Sequence, residues 1–276
     1  MCATQRSGST LLCELLKDTG VAGRPEEYFE ARHDTGAPPH PGDYLDGLPR
    51  TGAGIRDDMT PPEAPPYSSL DGLSSYREHL ERAFELGTTP NGVFASKLMW
   101  RQLPELRALA SELPEYAGLQ TAELLERLFG EPAYVWVSRG DKVRQAVSMW
   151  RALQTRSWRH SAGGESPEDR ELVYRFEGID HLVRTFEAED RSWREFLAAN
   201  GIDALAISYE DDLERDRERS VRAVLDRLAL RVPAGSQAHE PPRRQSDALS
   251  DDWVAAYHRD RKQRDPGASS SAVANH

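Results

Sequence analysis

The stretch that decides the fold lies near the amino terminus, where Gln5-Arg6-Ser7-Gly8-Ser9-Thr10 leads into a leucine-rich run. Gly8 lets the backbone turn tightly. Leucines at positions 11, 12, 15 and 16 fall on one side of a predicted helix over 10–17, and Gly20 follows as a stop signal. In such a loop, successive N–H groups and the positive end of a helix face one point. The stretch therefore favours binding of an anion.

The side chains of this loop are consistent with an anion site but do not establish one. Ser7, Ser9 and Thr10 offer hydroxyl donors, and Arg6 offers charge-assisted hydrogen bonds. Serine and threonine also cap ordinary helices, so the loop alone leaves both interpretations open. The chain has no GxxxxGK[ST] loop and no clear Asp-bearing strand for magnesium. The absence of both motifs argues against an NTPase or a kinase.

Composition excludes several classes of function. The 276 residues carry a net charge of −11, which argues against general nucleic-acid binding. A local basic pocket can still bind an anion. Cys2 and Cys13 fit neither a zinc pair nor a CxxC motif, the eight histidines form no metal-ligand grouping, and we expect no metal. No apolar run of about 18 residues and no signal peptide is present, so we expect a cytoplasmic protein without a membrane span.

The rest of the chain alternates between strand and helix patterns, which predicts an α/β fold with a mostly parallel sheet covered on both faces. The predicted strands are 93–98, 133–138 and 205–209. The predicted helices beyond the first are 75–86, 121–129, 142–156, 168–200 (with a break near Gly178 as an alternative), 218–229 and 251–262.

We predict a single domain over 1–265, in which 34–73 form an irregular lid or substrate loop, and a disordered tail over 266–276. Only four residues precede Gln5, so the predicted N-terminal strand is truncated. Either an edge strand is short or the true start lies upstream of Met1, and we favour the second.

Five blocks of sequence together identify a resemblance. They are QRSGSTLL (5–12), TGVAGRPEEYF (19–29), TPNGVFASKLMW (89–100), SRGDKVRQAVSMWRALQTRSW (138–158) and RRQSDALSDDWVAAYHRD (243–260). In this order and spacing the set resembles the bacterial trehalose 2-sulfotransferase family. The resemblance implies a P-loop-like three-layer α/β fold of the sulfotransferase type, 3′-phosphoadenosine 5′-phosphosulfate (PAPS) as sulfuryl donor, and a homodimer.

The resemblance also implies a donor site. Residues 6–10 (Arg6, Ser7, Gly8, Ser9 and Thr10) match the loop that holds the 5′-phosphosulfate, and Arg6 is a catalytic candidate as well. Arg139, at the end of the second predicted strand, and Ser148, on the following helix, match the pair that grips the 3′-phosphate. Ligands of open α/β sheets bind at the carboxyl ends of strands, which suits Arg139. Arg244 and Gln245 match a late segment that closes over the nucleotide.

For the acceptor, the resemblance implies Glu27 as the general base, with the adjacent Glu26 as the fallback. A carboxylate within hydrogen-bond reach of a hydroxyl can take its proton. The implied substrate-binding residues are Gln5, Glu27, Tyr28, Phe29, Lys97 and Trp100.

The acceptor itself stays open, because Arg24 stands where the trehalose enzymes are expected to carry an acidic residue. Trehalose is the leading acceptor, and another glycoside or a glycolipid head group is the alternative. Two other classes of function stay open too. One is a non-catalytic 3′,5′-diphosphonucleotide-binding protein, and the other is an atypical nucleotide kinase.

Overall fold

A four-stranded, all-parallel sheet forms the centre of the computed structural model, which describes residues 1–29, 44, 45, 48, 73, 75–155, 172–232 and 248–264. The strands are β1 (Cys2–Ala3), β2 (Leu98–Met99), β3 (Val135–Ser138) and β4 (Leu205–Ser208), in the order β2-β1-β3-β4. The predicted α/β class with a parallel sheet is therefore confirmed. The strand β1 is two residues long, and it lies inside the sheet instead of at an edge.

Eight α-helices lie in the described part of the chain. They are α1 (Ser9–Asp18), α2 (Tyr76–Gly87), α3 (Leu103–Ala110), α4 (Thr121–Phe129), α5 (Lys142–Thr155), α6 (Phe176–Ala199), α7 (Arg217–Arg227) and α8 (Ala248–Arg264). A 3₁₀ turn over Trp100–Gln102 follows β2, and a π-helical turn over Tyr209–Leu213 follows β4. None of these described helices is both long and apolar enough to cross a bilayer.

Successive residues of each strand point to opposite faces of the sheet. Helices pack against both faces. Ala3, Val137 and Ile207 pack in one core cluster with the apolar faces of α1 and α7. Cys2 packs in another with α3, α4 and Trp193 of α6. The indole N–H of Trp193 donates to the carbonyl of Ala3 at 2.9 Å, which fixes α6 directly against the short first strand. A third cluster joins α5, α6 and α8.

The predicted strand over 93–98 is wrong over most of its length, since only Leu98 belongs to β2. The preceding residues use their backbone groups outside the sheet. Lys97 N–H donates to the carbonyl of Glu26 at 2.9 Å, and Ala95 N–H to that of Gly87 at 3.2 Å. The segment therefore binds the loop that follows α1 and the end of α2. Periodicity cannot distinguish such a buried loop from a strand.

The long predicted helix begins later than expected, at Phe176, and runs unbroken through Gly178. A Cβ at Gly178 would overlap the ring of Trp150 on α5. Gly178 thus permits close packing of α5 and α6 instead of breaking the helix. The predicted tail over 266–276 and nearly all of the predicted lid over 34–73 lie outside the described residues.

Candidate active site

The carboxyl ends of β1 and β3 bring together two arginines that are far apart in sequence. The strands are neighbours, and the chain leaves them toward β2 on one side and β4 on the other, which opens a crevice at this edge. Arg6 Nε donates to Ser148 Oγ at 3.0 Å. Arg139 Nη1 donates to the carbonyl of Arg6 at 3.3 Å. The structure therefore brings Arg6, Ser148 and Arg139 into one cluster.

The loop over residues 5–10 has the backbone of an anion-binding turn. Gly8 caps α1 with φ of 90°, and Arg6 also has a positive φ of 61°. A non-glycine residue in that region carries strain, which is often found at functional sites. The first N–H groups of a helix have no intrahelical acceptor, so those of Ser9 and Thr10 face outward from the helix end. The predicted loop-to-helix turn is confirmed in its geometry.

Two side-chain atoms of this loop are buried without a hydrogen-bond partner among the described residues. They are Oγ of Ser7, which is 0% exposed, and Oε1 of Gln5, which is 8% exposed. Buried polar groups are nearly always hydrogen-bonded, because leaving one unsatisfied costs about 1–3 kcal/mol. Orphaned atoms in an anion-binding turn are what a bound ligand would satisfy.

Two buried arginines set the electrostatics of the cluster. Burial, and to a lesser degree the neighbouring Arg139 guanidinium, lowers the pKa of Arg6 to about 10. Burial also lowers the pKa of Arg139, although Tyr209 and Glu210 oppose that change. Two buried like charges destabilise each other and attract an anion. The overall charge of the protein is negative, but the local field at this edge favours a phosphate or a sulfate.

The residues after β4 orient Arg139, and sequence reasoning did not find them. The Arg139 guanidinium lies 4.5 Å from the ring centroid of Tyr209, and its Nε lies 3.6 Å from Glu210 Oε1. Glu210 also accepts from the backbone N–H groups of Gly140 at 2.8 Å and Asp141 at 3.1 Å. A cation–π contact and a shared carboxylate thus fix the turn between β3 and α5. The signal in the sequence was Tyr209 at the end of the predicted strand over 205–209, with Glu210 directly after it.

A buried polar network lies beneath the two loops. Thr4 Oγ1 donates to Asp190 Oδ1 at 3.1 Å and accepts from Gln145 Nε2 at 2.9 Å. Lys142 Nζ lies 2.5 Å from Asp190 Oδ2 and also donates to the carbonyl of Arg139. Gln145 donates in addition to the carbonyl of Gln5 at 2.6 Å. The network joins the end of β1 to the end of β3 through α5 and α6, which holds the two loops in register.

A carboxylate reaches the same region from the segment after α1. Glu27 Oε1 lies 2.8 Å from Lys97 Nζ, and Lys97 Nζ donates to Thr10 Oγ1 at 3.1 Å. Glu27 Oε2 accepts from Gln102 Nε2 at 2.8 Å. The side chain of Glu27 is 21% exposed, whereas that of Lys97 is 2% exposed. One lysine therefore connects the anion-binding loop to a partly accessible carboxylate.

Lys97 directly precedes β2 instead of ending a strand, and its ammonium group contacts Thr10 in the first turn of α1. Burial is the largest single influence and lowers the pKa of Lys97, but the charge and hydrogen bond of Glu27 together with the smaller contributions of Cys13 and Glu26 outweigh it. The net effect raises the pKa of Lys97 above its ordinary value. Lys97 is therefore a cation at neutral pH despite its burial.

The fallback carboxylate is placed differently. Glu26 is 5% exposed and forms an ion pair with Lys17 on α1. Arg24, at the unusual position noted above, donates to the carbonyl of Thr88 at 3.2 Å from an exposed position. Of the two adjacent carboxylates, Glu27 is the one that contacts the loop through Lys97.

The aromatic residues of the predicted acceptor site lie largely in packing positions. Tyr28 donates its hydroxyl to the carbonyl of Arg24 at 2.7 Å. Phe29 is 2% exposed within an aromatic cluster that includes Phe94 and Phe129. Trp100 is half-buried and packs edge-on against Trp193, with the ring centroids 5.1 Å apart. Their contact with an acceptor stays a prediction.

Two other predicted donor-site residues, Arg244 and Gln245, lie outside the described residues. Within the described ranges, no group of three or more His, Cys, Asp or Glu side chains could hold a metal ion.

The fold and the site define an α/β protein with an anion-binding loop at the crevice of a parallel sheet and a carboxylate beside that loop. A family model described as Stf0 sulphotransferase matches residues 1–260. The chain belongs to this family and is a sulfotransferase, an enzyme that takes its sulfuryl group from an activated sulfate donor.

Two relatives are similar over nearly their whole length. A protein named trehalose 2-sulfotransferase from Mycobacterium tuberculosis (strain ATCC 35801 / TMC 107 / Erdman) is 37% identical over 265 residues, which cover 92% of this chain and 92% of the relative. A protein of the same name from Mycolicibacterium smegmatis (strain ATCC 700084 / mc(2)155) is 34% identical over 273 residues. That alignment covers 95% of this chain and 94% of the relative.

Proposed function

We propose that this enzyme transfers a sulfuryl group from PAPS to a sugar hydroxyl, with the 2-hydroxyl of trehalose as the leading acceptor. The names of the two relatives support the acceptor class. The observation that carries the proposal is the series of contacts from Thr10 through Lys97 to Glu27, because it sets an acid–base group beside an anion-binding loop. Transfer to an alcohol requires both, since the hydroxyl must lose a proton while negative charge is held in place.

The side chains of the crevice fit the donor. Two phosphate-type groups require two sets of hydrogen-bond donors. The loop over 6–10 supplies backbone N–H groups and hydroxyls for one, and the adjoining Arg139 and Ser148 supply donors for the other. The buried Ser7 Oγ, which has no hydrogen-bond partner among the described residues, suits a ligand oxygen. When bound, PAPS supplies the sulfuryl group, and 3′,5′-diphosphoadenosine is the product.

The chain's own residues divide the remaining tasks. Glu27 accepts the proton of the sugar hydroxyl on a carboxylate oxygen, so that the hydroxyl oxygen becomes the nucleophile. Lys97 and the outward N–H groups of the first turn of α1 stabilise negative charge at the loop. Arg6, which is buried and cationic below about pH 10, adds to that field. The loop that carries Arg6 is held by the polar network beneath it, so little reorganisation is needed there.

The acceptor contacts are also a proposal. Gln5 Oε1 is a buried acceptor without a partner among the described residues, and sugar hydroxyls are suitable donors to it. Trp100 is proposed to offer ring surface to the sugar. Tyr28 and Phe29 are proposed to contact the sugar or to support the residues that do. Arg24 directs its guanidinium toward the end of α2, where it changes the charge near the segment that carries Glu27. A glycoside other than trehalose is therefore part of the test.

The test is product formation by the purified protein with PAPS and a panel that contains trehalose, other disaccharides, simple alcohols and glycolipids. We expect a sulfate monoester of trehalose, identified by mass and by the position of the ester in NMR spectra. Adenosine 5′-phosphosulfate, which lacks the 3′-phosphate, is the donor control and should be a poor substrate. If no acceptor is sulfated while 3′,5′-diphosphoadenosine binds tightly, the proposed transfer from PAPS to a sugar is wrong.

A further inference from the structure

A buried glutamine beside Glu27 belongs to neither the sequence blocks that identify the donor site nor the predicted acceptor residues. Gln102 lies in the 3₁₀ turn after β2 and is 4% exposed. Its Nε2 donates to Glu27 Oε2 at 2.8 Å. Its Oε1 accepts from the backbone N–H of Met99 at 2.9 Å. Both ends of one amide are therefore committed, one to the sheet and one to the candidate base.

The backbone contact fixes which way the amide faces. The N–H of Met99 is a donor, so the group of Gln102 that meets it must be the carbonyl oxygen. The amino group is then directed at Glu27 and cannot exchange places with the oxygen. Gln102 consequently always presents a donor to Glu27, and this donor holds Oε2 in place.

Glu27 needs such a partner because its own segment has neither helix nor strand. Lys97 holds Oε1, and Gln102 holds Oε2. These are the two side-chain partners of Glu27 in the described chain. With both oxygens held, the carboxylate plane is fixed, while the side chain stays 21% exposed. A catalytic carboxylate gains from such orientation, since small misplacements cost large factors in rate.

We propose that Gln102 is a positioning residue for the sulfuryl transfer. It orients the Glu27 carboxylate as a proton acceptor, and its effect on the reaction passes through Glu27 alone. The inference rests on the proposed role of Glu27 as the base. It predicts that Gln102 contributes to turnover but not to binding of the donor. The proposed donor-binding groups Arg6 and Arg139 follow β1 and β3, whereas Gln102 follows β2.

The decisive experiment is a double-mutant cycle between Gln102→Met and Glu27→Gln. In the wild-type background, Gln102→Met should lower kcat about tenfold or more, which corresponds to the loss of one hydrogen bond to a charged group. The affinity for 3′,5′-diphosphoadenosine should stay within about twofold. In the Glu27→Gln background, the same substitution should change kcat by less than about twofold, since its target is already gone.

A second variant keeps the backbone contact and changes only the group that faces Glu27. Gln102→Glu can still accept from Met99, but its introduced carboxylate meets Glu27 and repels it. As the pH is lowered, the introduced carboxyl takes up a proton and becomes a donor. The deficit in kcat relative to wild type should therefore shrink toward low pH, whereas that of Gln102→Met should not shrink.

Gln154 on α5 provides the control for damage to the fold. It is 3% exposed, and its amide makes two hydrogen bonds to the backbone of Val173, at 2.7 and 3.1 Å. Gln154→Met should lose stability similarly but keep kcat within about twofold. The inference is overturned if Gln102→Met costs the same factor in both backgrounds, if donor affinity falls in parallel, or if the Gln102→Glu deficit does not depend on pH. Wild-type turnover by Glu27→Gln alone would instead overturn the base role itself.

Discussion

The packing of Tyr209 on the anion-binding loop yields a quantitative prediction for Gly8→Ala. A Cβ at Gly8 would lie 3.1 Å from Tyr209 Cε2 and 3.3 Å from Leu213 Cδ1, and it would overlap Tyr209 Cδ2. The left-handed backbone costs an alanine about 1–2 kcal/mol. The overlap adds about 1–3 kcal/mol, as is typical of overpacking in a core. We therefore expect a loss of about 2–5 kcal/mol in the free energy of unfolding.

Gly20 is the matched control. It also has a positive φ, of 69°, but no atom lies within 4 Å of where its Cβ would be. Gly20→Ala should therefore lose only the backbone contribution of about 1–2 kcal/mol. Urea unfolding of the two variants gives the difference, and calorimetric titration with 3′,5′-diphosphoadenosine gives the donor affinity. Only Gly8→Ala should weaken binding, because displacement of Tyr209 also disturbs Arg139. Equal destabilisation with unchanged affinity would refute this reasoning.

Three further predictions concern buried polar groups. Ser7→Ala should raise the free energy of unfolding by about 1 kcal/mol, because it removes an unsatisfied hydroxyl, and yet weaken 3′,5′-diphosphoadenosine binding in the same titration. Burial raises the pKa of Glu189 to about 7. The contribution of protonated Glu189 to the free energy of unfolding is fully present below about pH 4.5 and is lost as the pH rises through 7. Glu189→Gln should therefore stabilise the protein by about 3 kcal/mol above pH 8 and hardly at all below pH 4.5. Urea unfolding across this pH range measures the difference. The lowered pKa of Arg6, about 10, predicts that affinity for 3′,5′-diphosphoadenosine falls as the pH rises through that value; constant affinity up to pH 11 would contradict it.

The sequence predicted local features better than those that depend on distant contacts. The glycine turn before α1, the range of α4 and the positions of β3 and β4 follow from patterns within a few residues. The strand over 93–98 was wrong because its backbone partners are Glu26 and Gly87, which no local pattern reveals. The helix α3 was not predicted, since it is only eight residues long and its periodic pattern is correspondingly short.

The candidate site shows the same division. Arg6, Arg139 and Glu27 could be named from their sequence blocks, but their support comes from elsewhere. Tyr209 and Glu210, which orient Arg139, follow a different strand. Asp190, which closes the network under the loops, lies 186 residues from its partner Thr4. A single sequence indicates which residue types can do the chemistry, whereas the groups that orient them emerge only when the strands are placed side by side.

The adjacent carboxylates provide the most direct test of the proposed sulfuryl transfer. Glu27 contacts the loop through Lys97, whereas Glu26 is paired with Lys17 on α1. Turnover with PAPS and trehalose should be measured for Glu27→Gln and Glu26→Gln alongside affinity for 3′,5′-diphosphoadenosine. We predict that Glu27→Gln lowers kcat by about 10²-fold or more with donor affinity intact, and that Glu26→Gln keeps most of its kcat. Full turnover by Glu27→Gln, or an equal loss in both variants, would contradict the account.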